Sequence, residues 1–407
     1  MTQEMSRKTE DRTPVLRPLI LDPGPRFSPA GIYIHVPFCR AKCPYCDFYS
    51  VTDLNRIDAF VKALPTEMEI QRHRISLADT VYFGGGTPSL LSASQIERIL
   101  AAVHDRFAVT ADAEVTLEVN PGTVDRQDLD AFRRSGVNRL NIGLQSTDDR
   151  TLSFLGRIHT ADAGISTYRH ARDAGFDNVG LDLIYAVPGQ TRKAWETEMA
   201  KAVELAPEHL SCYTLTVEAG TPLARRVAAG QVRPLGESIA GDLFSATADF
   251  LEAHGYRQYE ISNYARVCEG RHLDLRSRHN RKYWNFNDYM GFGPAAHSLE
   301  GSTRRWNCRT LDDYLAALQQ GASPEAGRET LTMDQQILEA VYLGLRQTDG
   351  IDTARFASRF QSDFHDLFGK QVAQLAAEGL IDASAEQVRL TRQGMRFLES
   401  VVQRMLD

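Results

Sequence analysis

The sequence has no long apolar run, no excess of positive charge and few cysteines, and each shortage excludes a class of protein. The longest apolar stretch, residues 179–187, is interrupted by Gly and Asp and falls short of the roughly 18 residues that a membrane helix needs. Lys and Arg number 46 against 53 Asp and Glu, so the net charge of −7 gives the whole chain no general attraction for nucleic acid. Six cysteines in 407 residues are too few for a disulfide framework.

The remaining composition is that of a globular protein, because 43% hydrophobic and 24% charged residues are ordinary values. The length predicts two or three domains. Residues 1–29 are expected to form a flexible arm, since five prolines between positions 14 and 29 prevent regular helix. The first 27 residues contain no uninterrupted apolar segment, so no secretory signal is predicted and the protein is expected in the cytoplasm.

Short β-branched and apolar runs alternate with segments that have apolar residues at helical spacing, such as Ile96, Ile99 and Leu100. This order predicts right-handed crossovers and a parallel sheet. Because six units are fewer than the eight of a complete TIM barrel, we expect an α/β domain over 30–245 with a partial (β/α)6 barrel and functional groups at the carboxyl ends of its strands. The six predicted strands are 31–38, 80–83, 114–120, 139–144, 178–187 and 209–216.

Two further regions follow the predicted barrel. Residues 246–321 are rich in aromatic and basic side chains and are expected to form an α+β extension. In residues 322–407, helices at 334–346, 353–360 and 364–378, a small hairpin and a last helix from residue 391 predict a winged-helix-like domain. From residue 328 onward 9 Lys or Arg stand against 12 Asp or Glu, which argues against a DNA-binding regulator.

Three of the six cysteines, Cys39, Cys43 and Cys46, lie within eight residues directly after the first predicted strand. Thiolates are soft ligands that suit an iron–sulfur cluster or zinc. Three cysteines would leave one iron of a 4Fe–4S cluster open to a small molecule, whereas a zinc site would need a distant Cys or His. The other cysteines stand singly, so the spacing favours the cluster.

Further polar candidates follow the other predicted strands. The run Gly84-Gly85-Gly86-Thr87-Pro88 either brings backbone with free amides close to a ligand or is only a tight turn. Polar groups in otherwise apolar surroundings need partners, which are either each other or a ligand. These groups are Glu118, Gln145, Arg157 and Asp182.

The CxxxCxxC loop, the segment 84–88 and the later polar positions resemble the radical S-adenosylmethionine (SAM) superfamily. Within it, segments 32–39, 117–121, 143–146, 155–157, 181–185 and 213–216 are similar to the branch that contains oxygen-independent coproporphyrinogen III oxidases and heme chaperones. The resemblance implies that the open iron binds SAM, which the cluster cleaves to methionine and a 5′-deoxyadenosyl radical. It implies Cys39, Cys43 and Cys46 as cluster ligands, and it implies SAM contacts at Tyr33, Tyr45, Gly85, Gly86, Thr87, Glu118, Gln145, Arg157 and Asp182.

Two features favour a heme chaperone over an oxidase. The oxidase pattern has a fourth cysteine where this chain has Phe48, and it has a longer structured segment before the first strand. The chaperones of this branch share an HNxxYW motif, present here from His279 to Trp284, which implies His279 as the heme ligand, with His297 as a second candidate. Basic side chains near the motif are candidates to pair with heme propionates: Arg271, Arg276, Arg278, Arg281 and Lys282.

The resemblance also implies partners. They are heme, an acceptor hemoprotein that is respiratory and membrane-associated, an electron donor such as a flavodoxin or ferredoxin, and a second copy of the chain in a homodimer. The protein would then work in the cytoplasm, peripherally at the inner face of the membrane. No nucleic acid is expected, and no catalytic residue is assigned.

Overall fold

The structure, a computed structural model, describes residues 28–268 and 274–406. Nearly all of the expected N-terminal arm, residues 1–27, lies outside the described residues, and so does Arg271. Within the described part, no helix combines the length and the apolar character that crossing a membrane requires.

The first half of the chain alternates strands with helices, as the sequence predicts. Its strands are β1 (Ala30–Val36), β2 (Ala78–Gly85), β3 (Val109–Val119), β4 (Arg139–Gln145), β5 (Val179–Tyr185) and β6 (His209–Thr214), which pair in that order and in parallel. The crossovers contain 3-10 turns at 54–56 and 88–90 and the helices α1 (Ile57–Gln71), α2 (Ala93–Arg106), α3 (Arg126–Arg134), α4 (Asp149–Phe154), α5 (Ala161–Asp173) and α6 (Arg192–Glu204). The predicted α/β parallel sheet is confirmed.

Helix α2 shows why these segments fold as they do. Ser92 and Gln95 form a reciprocal capping box that satisfies amide donors at the start of the helix. The apolar positions Ile96, Ile99 and Leu100, spaced as neighbours on one face, are buried in the core. The same logic places the predicted inward faces of α1 and α3 against the sheet.

The predicted extension is not a separate layer, because its strands lengthen the same sheet at both edges. After α7 (Pro222–Ala228) and α8 (Glu237–Ala253), β7 (Tyr256–Gln258) and β8 (Asn263–Arg266) join beside β6. Helix α9 (Arg278–Trp284) then leads to β9 (Tyr289–Phe292), which pairs in parallel with β1, followed by β10 (His297–Glu300), β11 (Thr303–Asn307), α10 (Leu311–Gln319) and β12 (Glu325–Thr330). Residues 325–330, which the sequence analysis assigns to the C-terminal domain, form an edge strand of this twelve-stranded sheet.

The C-terminal domain has its helices and hairpin where the sequence predicts them. Its elements are α11 (Met333–Leu345), β13 (Ile351–Asp352), α12 (Thr353–Phe360), α13 (Phe364–Ala377), β14 (Ile381–Ala383), β15 (Gln387–Leu390), α14 (Arg392–Met395) and α15 (Leu398–Leu406). The three strands form a small antiparallel sheet in the order β13-β15-β14. Buried phenylalanines such as Phe356 and Phe364, whose rings meet edge to face at 5.0 Å, form its core. The relationship to winged-helix proteins stays a prediction.

Candidate functional site

The three clustered cysteines lie on the loop that follows β1, at the carboxyl end of the sheet. The loop is closed at its base, because the Cys39 amide donates to the Val51 carbonyl (2.9 Å) and the Val51 amide donates to the Pro37 carbonyl (2.7 Å). Arg40 ties the loop to the neighbouring crossover by donating to the Gly122 carbonyl at 2.7 Å. All three thiols are free and half-buried.

Side chains from other elements touch the sulfur atoms. The Thr87 hydroxyl lies 3.5 Å from Cys39 Sγ, and Arg157 Nη1 lies 3.5 Å from Cys43 Sγ. Burial raises the pKa of the Cys46 thiol, an effect that the nearby Lys42 charge partly offsets. In the described part of the chain, no group of three or more His, Cys, Asp or Glu is placed to hold a single metal ion. The three soft donors, with hydrogen-bond donors beside two of them, fit an iron–sulfur cluster.

The glycine run after β2 is explained by packing rather than by free amides. Gly85 has a φ of +106°, and a Cβ there would lie 2.7 Å from the His35 ring. A Cβ on Gly86 would lie 2.6 Å from the Phe38 carbonyl oxygen, at the start of the cysteine loop. The Gly86 amide donates to the Val36 carbonyl at 2.8 Å, so this amide is not free for a ligand.

Glu118 is half-buried at the end of β3, where the Tyr82 hydroxyl donates to its carboxylate at 2.8 Å. Desolvation raises the pKa of Glu118 to about 7, although the hydrogen bond from Tyr82 favours the ionised form. The expected SAM contact Tyr33 lies deeper, with its ring stacked on Tyr82 at a centroid distance of 6.1 Å, and it does not line the cavity described below. The structure therefore does not place Tyr33 against a ligand in this cavity.

Asp182 and Arg157 bring opposite charges into the same interior. The Asp182 carboxylate accepts a hydrogen bond from Asn141 at 2.6 Å through Oδ2, while its buried Oδ1 has no partner among the described residues. Burial raises the pKa of Asp182. Arg157 donates to Asn120 and to the Gly143 carbonyl (3.1 Å), and within the described ranges no carboxylate lies at ion-pair distance from it. Such unpaired polar atoms fit a ligand that carries both charges, as the amino acid moiety of SAM does.

One cavity of about 960 Å³ joins these groups. It is lined by eleven of the residues that the sequence assigned to the cluster and SAM, namely Cys39, Cys43, Tyr45, Cys46, Gly85, Gly86, Thr87, Glu118, Gln145, Arg157 and Asp182. The structure thus brings the whole of that expected set except Tyr33 to one cavity. The volume lies at the upper end of the range of roughly 300 to 1,000 Å³ that is usual for ligand sites.

The structure does not bring His279, the expected heme ligand, to this cavity. Its side chain is buried, and its ring is stacked on the Tyr82 ring at a centroid distance of 5.0 Å. Nδ1 is hydrogen-bonded to the Thr80 hydroxyl and Nε2 to the Tyr283 hydroxyl, each at 2.8 Å. Because both ring nitrogens are engaged, neither has a free lone pair or open space for iron in this conformation.

The basic side chains near the HNxxYW motif are paired with protein acids instead of facing a ligand. Arg276 and Arg281 both contact Asp274, and Arg276 also contacts Asp349. Arg278 pairs with Asp79 and Asp112, and Lys282 pairs with Asp79 at 2.5 Å. His297 is exposed on β10 and does not line the cavity.

Sequence reasoning missed two groups of cavity residues. Asn141 belongs to a strand, residues 139–145, in which polar residues and glycine alternate with leucine and isoleucine. That alternation was a readable signal of a polar inner face. The other group, Met395 to Ser400 with Arg346, comes from the C-terminal domain, and nothing local in the sequence indicates that this domain covers the cavity.

Comparisons with known proteins agree with this geometry. The family model of the radical SAM superfamily matches residues 33–202, and that of the HemN C-terminal domain matches residues 331–397. The heme chaperone HemW of Bacillus subtilis is 34% identical over 89% of this chain and 95% of its own length, and that of Lactococcus lactis is 32% identical over 93% and 97%. A mouse protein, radical S-adenosyl methionine domain-containing protein 1, mitochondrial, is 33% identical over 93% and 87%. Among solved structures, coproporphyrinogen III oxidase (HemN) from Escherichia coli superposes with a TM-score of 0.80 at 25% identity, covering 93% of this chain and 90% of that one.

Proposed function

Because the chain belongs to the family of HemW heme chaperones within the radical SAM superfamily, we propose that it binds heme and transfers it to an acceptor hemoprotein. The observation that carries the proposal is the similarity to named heme chaperones along nearly the whole length of both chains. We further propose that the acceptor is a respiratory, membrane-associated hemoprotein, that a flavodoxin or ferredoxin donates electrons, and that the protein works as a cytoplasmic homodimer at the inner face of the membrane.

Membership of the superfamily implies a 4Fe–4S cluster and SAM, and the residues of the cavity fit both. Cys39, Cys43 and Cys46 would hold the cluster, which supplies the electron for SAM cleavage when it is bound. Thr87 and Arg157 stand at hydrogen-bond distance from two of the thiols, where donors to cluster sulfurs set the reduction potential.

The polar residues of the barrel would orient SAM. Arg157 offers a cation without a protein carboxylate partner in the described part of the chain, and Asp182 offers a buried acceptor at Oδ1. Burial raises the pKa of Glu118 to about 7, and a cationic ligand beside the carboxylate would favour its ionised form. Tyr45, half-buried in the cysteine loop and part of the cavity lining, would pack against the adenine.

A second candidate is an oxygen-independent coproporphyrinogen III oxidase, which the structural similarity to the Escherichia coli enzyme favours. That reaction would convert two propionate side chains of coproporphyrinogen III to vinyl groups. The oxidase pattern has a fourth cysteine at the position of Phe48, and this difference favours the chaperone.

One preparation distinguishes the two candidates. The protein is reconstituted anaerobically with iron and sulfide and divided between a heme titration and a turnover assay with coproporphyrinogen, SAM and a reductant. Stoichiometric heme binding without vinyl product, followed by transfer to an apo-hemoprotein, is the expected result. Vinyl product with weak heme binding would make the protein an oxidase.

A further inference from the structure

Arg139, at the start of β4, is almost completely enclosed by protein. Its side chain is 1% exposed, and its Nε atom has no hydrogen-bond partner among the described residues. Within the described ranges, no carboxylate lies at ion-pair distance from its guanidinium. A guanidinium keeps its charge in proteins, and a buried charge without a counter-charge is strongly unfavourable. The opposite charges that stabilise Arg139 therefore act on it over a longer distance.

The strand register shows which acids share the barrel interior with Arg139. Asn141, two residues further along β4, lines the cavity and donates to Asp182 Oδ2 at 2.6 Å. Because alternate residues of a strand lie on one face, Arg139 is on the same inner face as Asn141. In the parallel pairing of β3 with β4, Thr116 is opposite Arg139 and Glu118 is opposite Asn141. Glu118 and Asp182 thus stand one step further along the strands than the arginine.

The charge of Arg139 favours the ionised form of both acids. Desolvation raises the pKa of Glu118 to about 7, and the Arg139 charge opposes this rise. Burial also raises the pKa of Asp182, against the charges of Arg139 and Arg157. Coulomb attraction is weakly screened in a protein interior, so it acts between these groups without a direct hydrogen bond.

We propose that Arg139 is a positioning residue for SAM, whose charge keeps Glu118 and Asp182 ionised so that both carboxylates accept hydrogen bonds from the ligand. The inference rests on the proposed function, since it concerns the SAM site assigned there. Arg139 does not line the cavity, so it acts through the two carboxylates and not by contact with SAM.

Glu114, the third acid on this face of β3, is a competing partner for Arg139. Its carboxylate accepts the amides of Arg278 and His279, each at 3.1 Å, and it does not line the cavity. An arginine that served Glu114 alone would stabilise the fold but would leave the pH dependence of SAM binding unchanged. The pH dependence therefore separates the two roles.

The other titratable side chains around these charges stay neutral over the pH range of the test. Burial lowers the pKa of His209 and His279. Burial raises the pKa of Cys212 and of the tyrosines, which are Tyr33, Tyr82, Tyr213, Tyr259 and Tyr283. Between about pH 6.5 and 8.5, a change in SAM affinity that depends on Arg139 is therefore expected from Glu118 and Asp182.

The test measures the SAM Kd of the reconstituted protein by equilibrium dialysis over this pH range. The ratio of variant to wild-type Kd cancels the titration of SAM itself. For Arg139→Gln, the ratio should be about fivefold at pH 6.5 and under about twofold at pH 8.5, because high pH ionises the carboxylates without the arginine. Arg139→Lys keeps a positive charge and should stay within about twofold of wild type throughout.

Arg172→Gln is the matched control. This arginine of α5 is 27% exposed, pairs with Glu208 at 2.6 Å and does not line the cavity. Glu208 keeps Arg266 as a second partner at 2.6 Å. The Kd ratio of the control should be near one at every pH.

If Arg139→Gln does not fold, the double variant Arg139→Gln/Glu118→Gln decides. Removing one carboxylate relieves the uncompensated negative charge, so a cooperative thermal transition should return, and a double variant that stays unfolded would overturn the pairing. A Kd ratio for Arg139→Gln that is the same at every pH would overturn the role of Arg139 and leave the proposed SAM site standing. A wild type that binds no SAM would overturn that site and this inference together.

Discussion

The hydroxyl of Thr80, on the second strand, lies 2.8 Å from Nδ1 of His279, which belongs to a helix 199 residues further along the chain. The same helix begins with the amides of Arg278 and His279 donating to the carboxylate of Glu114 on β3, each at 3.1 Å. Trp284, at its end, is joined to the C-terminal domain by the Gln347 side chain. The HNxxYW segment is thus hydrogen-bonded to strands β2 and β3 of the barrel and to the C-terminal domain.

Replacing His279 should therefore affect stability more than heme binding. His279→Ala leaves the buried Thr80 hydroxyl and the half-buried Tyr283 hydroxyl without this partner and opens a cavity beside Tyr82, so we expect a loss of roughly 2 to 4 kcal/mol in the free energy of unfolding. Urea denaturation measures that loss. The heme Kd of the folded variant should stay within about twofold of wild type, and a much weaker Kd with unchanged stability would restore His279 as a ligand.

The free energy of unfolding should also fall in acid because of His279. Burial, with the Lys282 and Arg139 charges, lowers the pKa of His279 to about 3, whereas the unfolded chain has the ordinary value near 6.5. Between pH 3 and pH 6.5 the unfolded state binds more protons than the folded state. The contribution of His279 to the free energy of unfolding is therefore complete above pH 6.5 and is lost as the pH falls towards 3. His279→Gln, which carries no titrating ring, should show a shallower fall of Tm between pH 6.5 and 4.

Replacing the carboxylate of Glu67 on α1 by an amide should lower the free energy of unfolding. Its carboxylate accepts hydrogen bonds from Gln71 (2.9 Å), the Gly293 amide (2.9 Å), Asn307 (2.5 Å) and Tyr314 (2.6 Å). Glu67→Gln turns one acceptor into a donor that faces other donors, and we expect a loss of about 2 to 3 kcal/mol. Glu69→Gln on the same helix, where the side chain is 47% exposed, is the control and should cost under about 1 kcal/mol in the same denaturation experiment.

Asp182→Asn should weaken SAM binding without unfolding the barrel. The change keeps the shape but removes the buried charge, and we expect the SAM Kd to rise about tenfold or more, since hydrogen bonds to a charged acceptor are the strong ones. Equilibrium dialysis of reconstituted protein measures the Kd. Glu196→Gln, at an exposed position of α6, is the control, and equal affinity in Asp182→Asn and wild type would remove Asp182 from the SAM site.

Loss of any one of the three loop thiols should prevent stable cluster formation. Cys39→Ala, Cys43→Ala and Cys46→Ala should each lose the visible absorbance and most of the iron after reconstitution, while Cys308→Ala, outside the cavity, keeps both. Full iron content in a loop variant would mean that another ligand replaces the thiol.

The sequence was sufficient where short-range patterns determine the structure. Alternation of apolar runs with helical spacing placed the six parallel strands, and the rule that functional groups follow the carboxyl ends of strands, together with the family resemblance, indicated eleven of the cavity residues. Such patterns depend on neighbours within one or two turns or strands.

It was insufficient where a residue's role depends on distant partners. The motif at 279–284 suggested a ligand, yet the partners of His279 include Thr80, which the sequence does not connect with it. Glu67 lies on helix α1, and three of its four hydrogen-bond donors come from the distant residues 293, 307 and 314. Arg396 reaches the cavity only because the C-terminal domain docks on the barrel.

The hydrogen bonds at the base of the cysteine loop limit how far the segment that carries the three thiols can spread. Protein hydrogen bonds alone join Pro37 and Cys39 to Val51, so the segment that carries the thiols is already a short tethered loop before any iron arrives. Most of the ordering entropy of the site is therefore lost when the chain folds, and little remains to be lost when iron and sulfide bind.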